Sequence, residues 1–281
     1  TQASFLSLLG GDHARVRELD RRVTRAMGFD ASLPVTGQTY TRKLDAHVLD
    51  VLAGIAASAA KFAGDMRMLQ AFGEVEEPFE KEQIGSSAMA YKRNPMRSER
   101  INSLSRFVLS LAPNANQTHS VQYFERTLDD SANRRLVIPE AFLATDALLI
   151  LMENIARGLE VHPTRIRRRL ADELPFMATE ELIVRAVKAG RDRQAIHEVI
   201  RGHSIAAARA MKDEGVPNDM LERLAADPAW PVPIADLRDA LDPHHFTGRS
   251  AEQVGEFLAE VVQPILDAAG ADDTQPEDVR V

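Results

Sequence analysis

Ser86, Ser87, Lys92 and Asn94 stand in one short segment, Gly85-Ser86-Ser87-Ala88-Met89-Ala90-Tyr91-Lys92-Arg93-Asn94-Pro95. Two hydroxyls, an ammonium and an amide are the parts needed to hold an anionic substrate and move a proton. Glycine, two serines and a proline disfavour helix, so the sequence predicts a loop between helical segments. Further polar groups extend the set: Arg100 leaves the loop, and Arg126, Ser131 and Arg135 lie downstream. Arginine's planar fork pairs with carboxylate or phosphate through two parallel hydrogen bonds. Ser131 follows Asp129-Asp130 where a helix should begin, and free N–H groups at a helix start bind phosphate. Arg135 is four residues on and shares that face. From spacing alone, the same arginines also fit solvated helix faces paired with acids. Ser86 alone also fits an ordinary loop hydroxyl that caps a backbone group.

The remaining polar groups read as structural. His197-Glu198 lacks the second histidine of a zinc helix. His244-His245 falls in a turn, and His119 fits a helix end near the arginines. Arg165, Arg167, Arg168 and Arg169 form a basic run that reads as a solvated helix face. Asn116-Gln117-Thr118 is a formal sequon without secretory context. Neither a phosphate loop nor a dinucleotide fingerprint occurs.

The elements that must position these groups are helical. Asp12 can cap a helix with Val16, Leu19, Val23 and Met27 on one face and Gly28 as its stop. A second helix is predicted over 41–72, ending at Gly73, with Leu44, Val48, Val51, Leu52, Ile55 and Ala59 as its stripe. It would reach about 48 Å. A helix that long and apolar on more than one face suggests a bundle continuing into other subunits. Ile101, Leu104, Val108 and Leu111 mark another helix, closed by Pro113-Asn114, and a long one follows over 130–157 to Gly158. No period-two window is evident, so no sheet is predicted. After Val161-His162-Pro163 the helices shorten. Pro163 suits a first helical position. Helices are expected from Thr179, over 191–211, after Pro217 and over 250–266, with an acidic tail at 270–281. The expectation is an all-α protein with a central bundle over 1–161 and a helical C-terminal domain over 162–281.

The chain has 281 residues, 44% hydrophobic and 27% charged, which suits a globular protein with a full core. Its net charge of −8 argues against a nucleic-acid partner. Cysteine is absent, which removes disulfides and thiolate metal sites and is compatible with the cytoplasm. No membrane-length apolar run and no signal peptide is evident in the sequence, so no membrane partner is expected.

The 85–95 segment closely resembles the signature loop of the fumarase/aspartase superfamily, Gly-Ser-Ser-x-Met-Pro-x-Lys-x-Asn-Pro. Ala90 stands where that superfamily has proline. Around it lie Thr36-Gly37-Gln38-Thr39-Tyr40-Thr41-Arg42-Lys43, Pro78 to Ile84, Met96-Arg97-Ser98-Glu99-Arg100, and the run from Gln122 through Phe124-Glu125-Arg126-Thr127-Leu128-Asp129-Asp130-Ser131 to Arg135. Together these resemble the animal-type adenylosuccinate lyases within that superfamily.

The resemblance implies a long-helix bundle and a homotetramer with shared active sites. Ser86 would be the base that removes a proton from the carbon beside a carboxylate, with Lys92 and Asn94 stabilising the carbanion. Serine is a poor base in water, so a nearby ammonium and loop N–H groups must favour its alkoxide. Gln38 would lie near the leaving nitrogen. Ser87, Arg100, Arg126, Ser131 and Arg135 would bind substrate, the last three at the phosphate. The reaction implied is loss of fumarate from adenylosuccinate, giving AMP, and from the succinyl-carboxamide ribotide of purine synthesis. No metal or organic cofactor is expected, because the substrate carboxylate acidifies the proton. The general acid would be a histidine from a segment that the family has ahead of Thr1, so the chain is expected to be the later part of a longer enzyme. A catalytically silent oligomeric scaffold is the alternative from another class. A lyase for argininosuccinate or fumarate is a further one, disfavoured by the phosphate-type arginines. Ala90 in place of proline should loosen the loop without removing a functional side chain.

Overall fold

The computed structural model describes residues 2–79, 89, 91–124, 127–239 and 241–270. Ser86, Ser87, Ala90 and Arg126 lie outside them, as does the acidic tail beyond Gly270. The described residues are helical nearly throughout. Two compact units emerge: Thr1–Arg67 with Asn94–Arg157, and Met68–Arg93 with Gly158–Val281. Residues 68–93 thus go with the C-terminal helices, whereas the sequence reading puts them with the bundle.

The first unit begins with α1 (Gln2–Leu8) and α2 (His13–Ala26). Asp12 caps α2 as expected, its Oδ1 accepting the N–H groups of Ala14 and Arg15 at 2.9 and 3.0 Å. Gly28 follows with φ +84°, the left-handed geometry that suits glycine. Of the expected stripe, Val16 is buried but Val23 and Met27 are exposed.

Helix α3 (Lys43–Ala71) runs 29 residues. Its buried face is not the one that the large aliphatics mark. Asp45, Ala46, Leu49, Leu52, Ala56, Ala59, Ala63 and Met66 are buried, while Leu44, Val48 and Val51 are exposed. Small residues allow close backbone approach, so the alanine row faces the protein together with Leu49, Leu52 and Met66, while Leu44, Val48 and Val51 face out. By length and composition α3 could also cross a membrane, with a mean hydropathy of 1.3 over its most apolar window. This corrects the expectation that no apolar run reaches such a length.

Helices α4 (Met96–Leu111), α5 (Pro113–Ser120) and α6 (Asp129–Gly158) complete the unit. Pro113 does not simply close α4; it is the first residue of α5, where its missing N–H costs nothing. The buried face of α6 is Asp130, Val137, Ala141, Ala144, Thr145, Leu148, Leu151 and Ile155. Pro139 removes the N–H that would bond to the Arg135 carbonyl.

The second unit contains the one ladder among the described residues, β1 (Val75–Glu76) antiparallel to β2 (Glu160–Val161), pairing Val75 with Val161 and Glu76 with Glu160. Two residues per strand are too few for alternation to register in a sequence, which is why none was expected. At the foot of β2, Gly158 has no room for a side chain: a Cβ there would lie 2.6 Å from Pro78 Cβ.

Helices α7 (Pro163–Met177), α8 (Thr179–Lys188), α9 (Arg193–Glu214), α10 (Met220–Ala226) and α11 (Ile234–Asp239) follow. Their core gathers Leu182, Ala186, Ile196, Ile200, Met220, Leu224, Trp230 and Leu237. Asp192 caps α9, and Gly215 ends it at φ +70°. The basic run on α7 is not simply solvated. Arg165 Nε donates to the Phe72 carbonyl at 2.9 Å, satisfying an orphan acceptor at the end of α3. Arg169 stacks 3.7 Å from the Phe72 ring centroid and pairs with Glu74 at 3.0 Å. The last helical stretch is α12 (Ser250–Phe257), a π turn (Leu258–Val262) and α13 (Gln263–Ala269), with no buried residue.

Candidate active site

Tyr40 is the centre of the polar cluster in the first unit. Its hydroxyl donates to Asp45 Oδ1 at 2.7 Å and accepts from Arg134 Nη2. Arg134 Nε reaches Asp45 Oδ2 at 2.6 Å. Arg42 lies over the ring, 4.5 Å from its centroid, with Arg134 at 5.4 Å. Arg42 turns its guanidinium to Asp130, with Nη2 2.7 Å and Nε 2.8 Å from Oδ2. Both partners are almost fully buried, at 4% and 6% side-chain exposure. Two cations and two carboxylates thus enclose one phenol with no net charge.

Gln122 ties this cluster to the chain ahead of it. Its Oε1 accepts the Arg42 N–H at 3.1 Å, and its Nε2 donates to the Tyr40 carbonyl at 3.1 Å and the Thr39 hydroxyl at 3.4 Å. His119 Nδ1 is 3.3 Å from Gln122 Oε1. A second polar set joins α5 to α6: Asn133 Nδ2 donates to Asn114 Oδ1 at 3.1 Å, and the Thr118 hydroxyl to Asn133 Oδ1 at 3.3 Å. Residues 39–42, far from 130–134 in sequence, are therefore pinned to the start of α6. Gln38 is exposed immediately before that pinned stretch, and Ser131 and Arg135 lie on the helix it is pinned to.

Arg135 and Arg100 are exposed, free of burial that would orient them, on α6 and α4. Ser131 is half-buried, and its N–H bonds to the Leu128 carbonyl at 3.2 Å. That N–H is not open to phosphate, which corrects the expectation of free amides at this position. Asn94 belongs to the first unit; its carbonyl accepts the Met96 N–H at 2.8 Å. Lys92 belongs to the second unit and is exposed, with its N–H on the Met89 carbonyl at 3.0 Å. Ser86, Ser87 and Arg126 fall outside the described residues. Sequence reasoning missed Tyr40, Arg42, Asp45, Gln122, Asp130 and Arg134. No local signal pairs them: Arg42 with Asp130 and Asp45 with Arg134 lie 88 and 89 positions apart in sequence.

Comparison with known proteins places the chain. Residues 8–109 match the family model described as Lyase, and 175–257 the model described as Adenylosuccinate lyase C-terminus. The adenylosuccinate lyase of Schizosaccharomyces pombe is 52% identical over 267 residues, covering 95% of this chain and 55% of that protein. The adenylosuccinate lyase of Saccharomyces cerevisiae is 53% identical over 266 residues, again covering 95% and 55%. The chain thus spans about half the length of the curated relatives it matches. Among solved structures, the 3-carboxy-cis,cis-muconate lactonizing enzyme of Pseudomonas putida superposes with a TM-score of 0.74 at 23% identity, covering 93% of this chain and 56% of that one. The fumarate lyase of Mesorhizobium sp. BNC1 gives 0.71 at 23%, covering 88% and 54%. These two likenesses establish the helical-bundle fold. The chain belongs to the adenylosuccinate lyase family, within the fumarase/aspartase superfamily of lyases.

Burial, and then the bond to Asp45, raise the Tyr40 hydroxyl above the ordinary phenol range. A folded-state value raised in this way contributes stability below pH about 10 that is lost as pH rises through the folded value. Tyr40→Phe is expected to destabilise the protein by about 1.5–3 kcal/mol at neutral pH, the scale of hydrogen bonds to charged groups. The gap between wild type and variant should shrink above pH about 10. Urea denaturation across pH measures both; a gap that does not change with pH would contradict the role given to the hydroxyl.

Proposed function

We propose that the complete protein is an adenylosuccinate lyase. It would eliminate fumarate from adenylosuccinate to give AMP, and from the succinyl-carboxamide ribotide of purine synthesis. The observation that carries this reading is identity of 52–53% to two adenylosuccinate lyases over 95% of the chain. The motif residues of the 85–95 segment support it.

In the proposed mechanism Ser86 Oγ takes the proton from the carbon beside a substrate carboxylate. Lys92 and Asn94 hold that carboxylate and stabilise the charge it gains. The C–N bond then breaks, fumarate forms its double bond, and the leaving nitrogen takes a proton from a general acid. Gln38 lies near that nitrogen. Ser87 and Arg100 contact substrate, and Arg126, Ser131 and Arg135 take the phosphate end. Arg135 supports that assignment by being exposed, with its guanidinium accessible to a ligand. The step needs no metal or organic cofactor, because the carboxylate already acidifies the proton. A cytoplasmic location fits a chain without cysteine.

The assembly proposed is a homotetramer with active sites built from more than one chain. Its support is the exposed apolar side chains on the long helices: Val48 and Val51 on α3, and Leu136, Phe142 and Leu143 on α6. Burying such side chains against another copy would remove apolar surface from water. Light scattering of the complete protein at micromolar concentration is expected to give four subunits, and a monodisperse monomer would contradict the assembly.

Ser86→Ala in the complete protein is expected to abolish turnover while leaving substrate binding largely intact. Arg126→Ala and Arg135→Ala should each weaken AMP binding by about 10- to 150-fold, the loss of one charge-assisted contact. Lys92→Ala should weaken fumarate binding and turnover, with less effect on AMP. Separate titrations of AMP and fumarate, with turnover assays, read this pattern. Near-normal turnover in Ser86→Ala would remove it from the role of base. Equal loss of both ligands in all three other variants would overturn the division of the site.

A further inference from the structure

Gln70 touches both ends of the segment 77–93. Its Oε1 accepts the Glu77 N–H at 3.2 Å, and its Nε2 donates to the Arg93 carbonyl at 3.2 Å. One planar amide on the last turns of α3 therefore bridges the entry and the exit of the segment that contains Lys92. The Arg93 side chain makes a second bridge. Its Nη1 lies 2.7 Å from Glu76 Oε2 on β1 and 3.3 Å from Glu160 Oε2 on β2. Its guanidinium also stacks 4.8 Å from the Phe79 ring centroid, at the entry side.

The ladder needs that cation. Glu76 and Glu160 are paired directly across it, and like charges in that position are destabilising. Two residues per strand do not hold together alone. His162 Nε2 stands 3.8 Å from Glu76 Oε1 and belongs to the same group. Glu76, Glu160 and His162 have ligand atoms within 4.8 Å of one another, the spacing of a metal site. Arg93 already sits against both carboxylates, so the positive charge in this cluster is its own.

We infer that Gln70 and Arg93 form a clamp that joins the two ends of segment 77–93 to the β1–β2 ladder, and that Arg93 is thereby a positioning residue for Lys92. Lys92 is exposed, and the described contact of its backbone is the turn to Met89. Its neighbour Arg93 is held through both main chain and side chain. Fixing that neighbour restricts the backbone from which the Lys92 side chain projects, so that on binding chiefly its rotamers remain to be ordered. The bridge to two carboxylates uses the arginine fork, and a lysine carries the charge without that fork.

The catalytic half of this inference rests on the lyase reading; the clamp itself does not. The test uses the complete protein with Arg93→Ala, Arg93→Lys and Gln70→Ala. Three quantities are measured: kcat and KM for adenylosuccinate, AMP affinity, and amide hydrogen exchange over 75–77 and 160–162. Arg93→Ala is expected to lower kcat by about 10- to 100-fold, the effect of a displaced catalytic group. AMP affinity should hold, and exchange at both strands should rise while that at 182–200 stays constant. Arg93→Lys should recover part of kcat, and Gln70→Ala should lower it with the ladder intact. Wild-type kcat in both Arg93→Ala and Gln70→Ala would overturn the positioning role. Unchanged exchange in Arg93→Ala would overturn the clamp. A complete wild-type protein without turnover would overturn the lyase reading and with it the positioning role, and exchange would still decide the clamp. If Arg93→Ala does not fold, Arg93→Lys and Gln70→Ala decide the same points.

Discussion

The buried pair between Arg42 and Asp130 is the constraint on which the first unit depends. Its partners are 88 residues apart in sequence and almost wholly removed from water. Two buried ions cost several kcal/mol each to desolvate, and only close, well-aligned contact offsets this. The contact is close: two guanidinium nitrogens of Arg42 lie within 2.8 Å of one carboxylate oxygen. Neither charge can leave without stranding the other. The start of α6 and the stretch before α3 therefore move as one piece. Tyr40, Asp45 and Arg134 extend the same logic, because every charge in the cluster faces an opposite one and the phenol bridges two of them.

That rigidity matters for function because the expected binding residues are carried on the pinned elements, not in the cluster. Gln38 precedes the stretch, and Ser131 and Arg135 follow Asp130 on α6. Exposed side chains on a fixed backbone are well suited to meet a ligand: the backbone entropy is already lost, and only rotamers remain to be ordered on binding. The second unit repeats the device with different chemistry. There the arginines of α7 satisfy the end of α3, and Arg93 offsets the repulsion between the two ladder carboxylates, so both anchor backbone next to the segment that carries Lys92.

The helical class and most element positions were legible in the sequence, because apolar spacing, Asp12, Pro163 and the glycines at 28 and 73 are local signals. What was not legible was which face turns inward. On α3 the expected stripe is split: Leu52 and Ala59 are buried but Leu44, Val48 and Val51 are exposed, and Ala46, Leu49, Ala56 and Ala63 are buried in their place. Periodicity reports that a face is apolar and cannot say whether the same chain or another covers it. The basic run on α7 is exposed as expected, but its partners were not legible for a related reason. Arg165 and Arg169 are spent on the Phe72 carbonyl, the Phe72 ring and Glu74, all distant in sequence. The motif residues were legible through resemblance, but the cluster around Tyr40 was not, since its pairing is set by the tertiary fold. At Ser131 the local argument went astray because the Leu128 carbonyl competes for the amide.

The most direct test of this account is a double-mutant cycle on the central pair, with Arg42→Met, Asp130→Leu and the double variant unfolded in urea at fixed protein concentration. Each single change strands a buried charge and is expected to cost about 3–5 kcal/mol. The double variant, with apolar side chains of similar size on both sides, should cost no more than either single one, and the coupling should be large. Costs that simply add would show that the two side chains do not depend on each other, and the pair would no longer explain how the start of α6 and the Thr39–Arg42 stretch are held together.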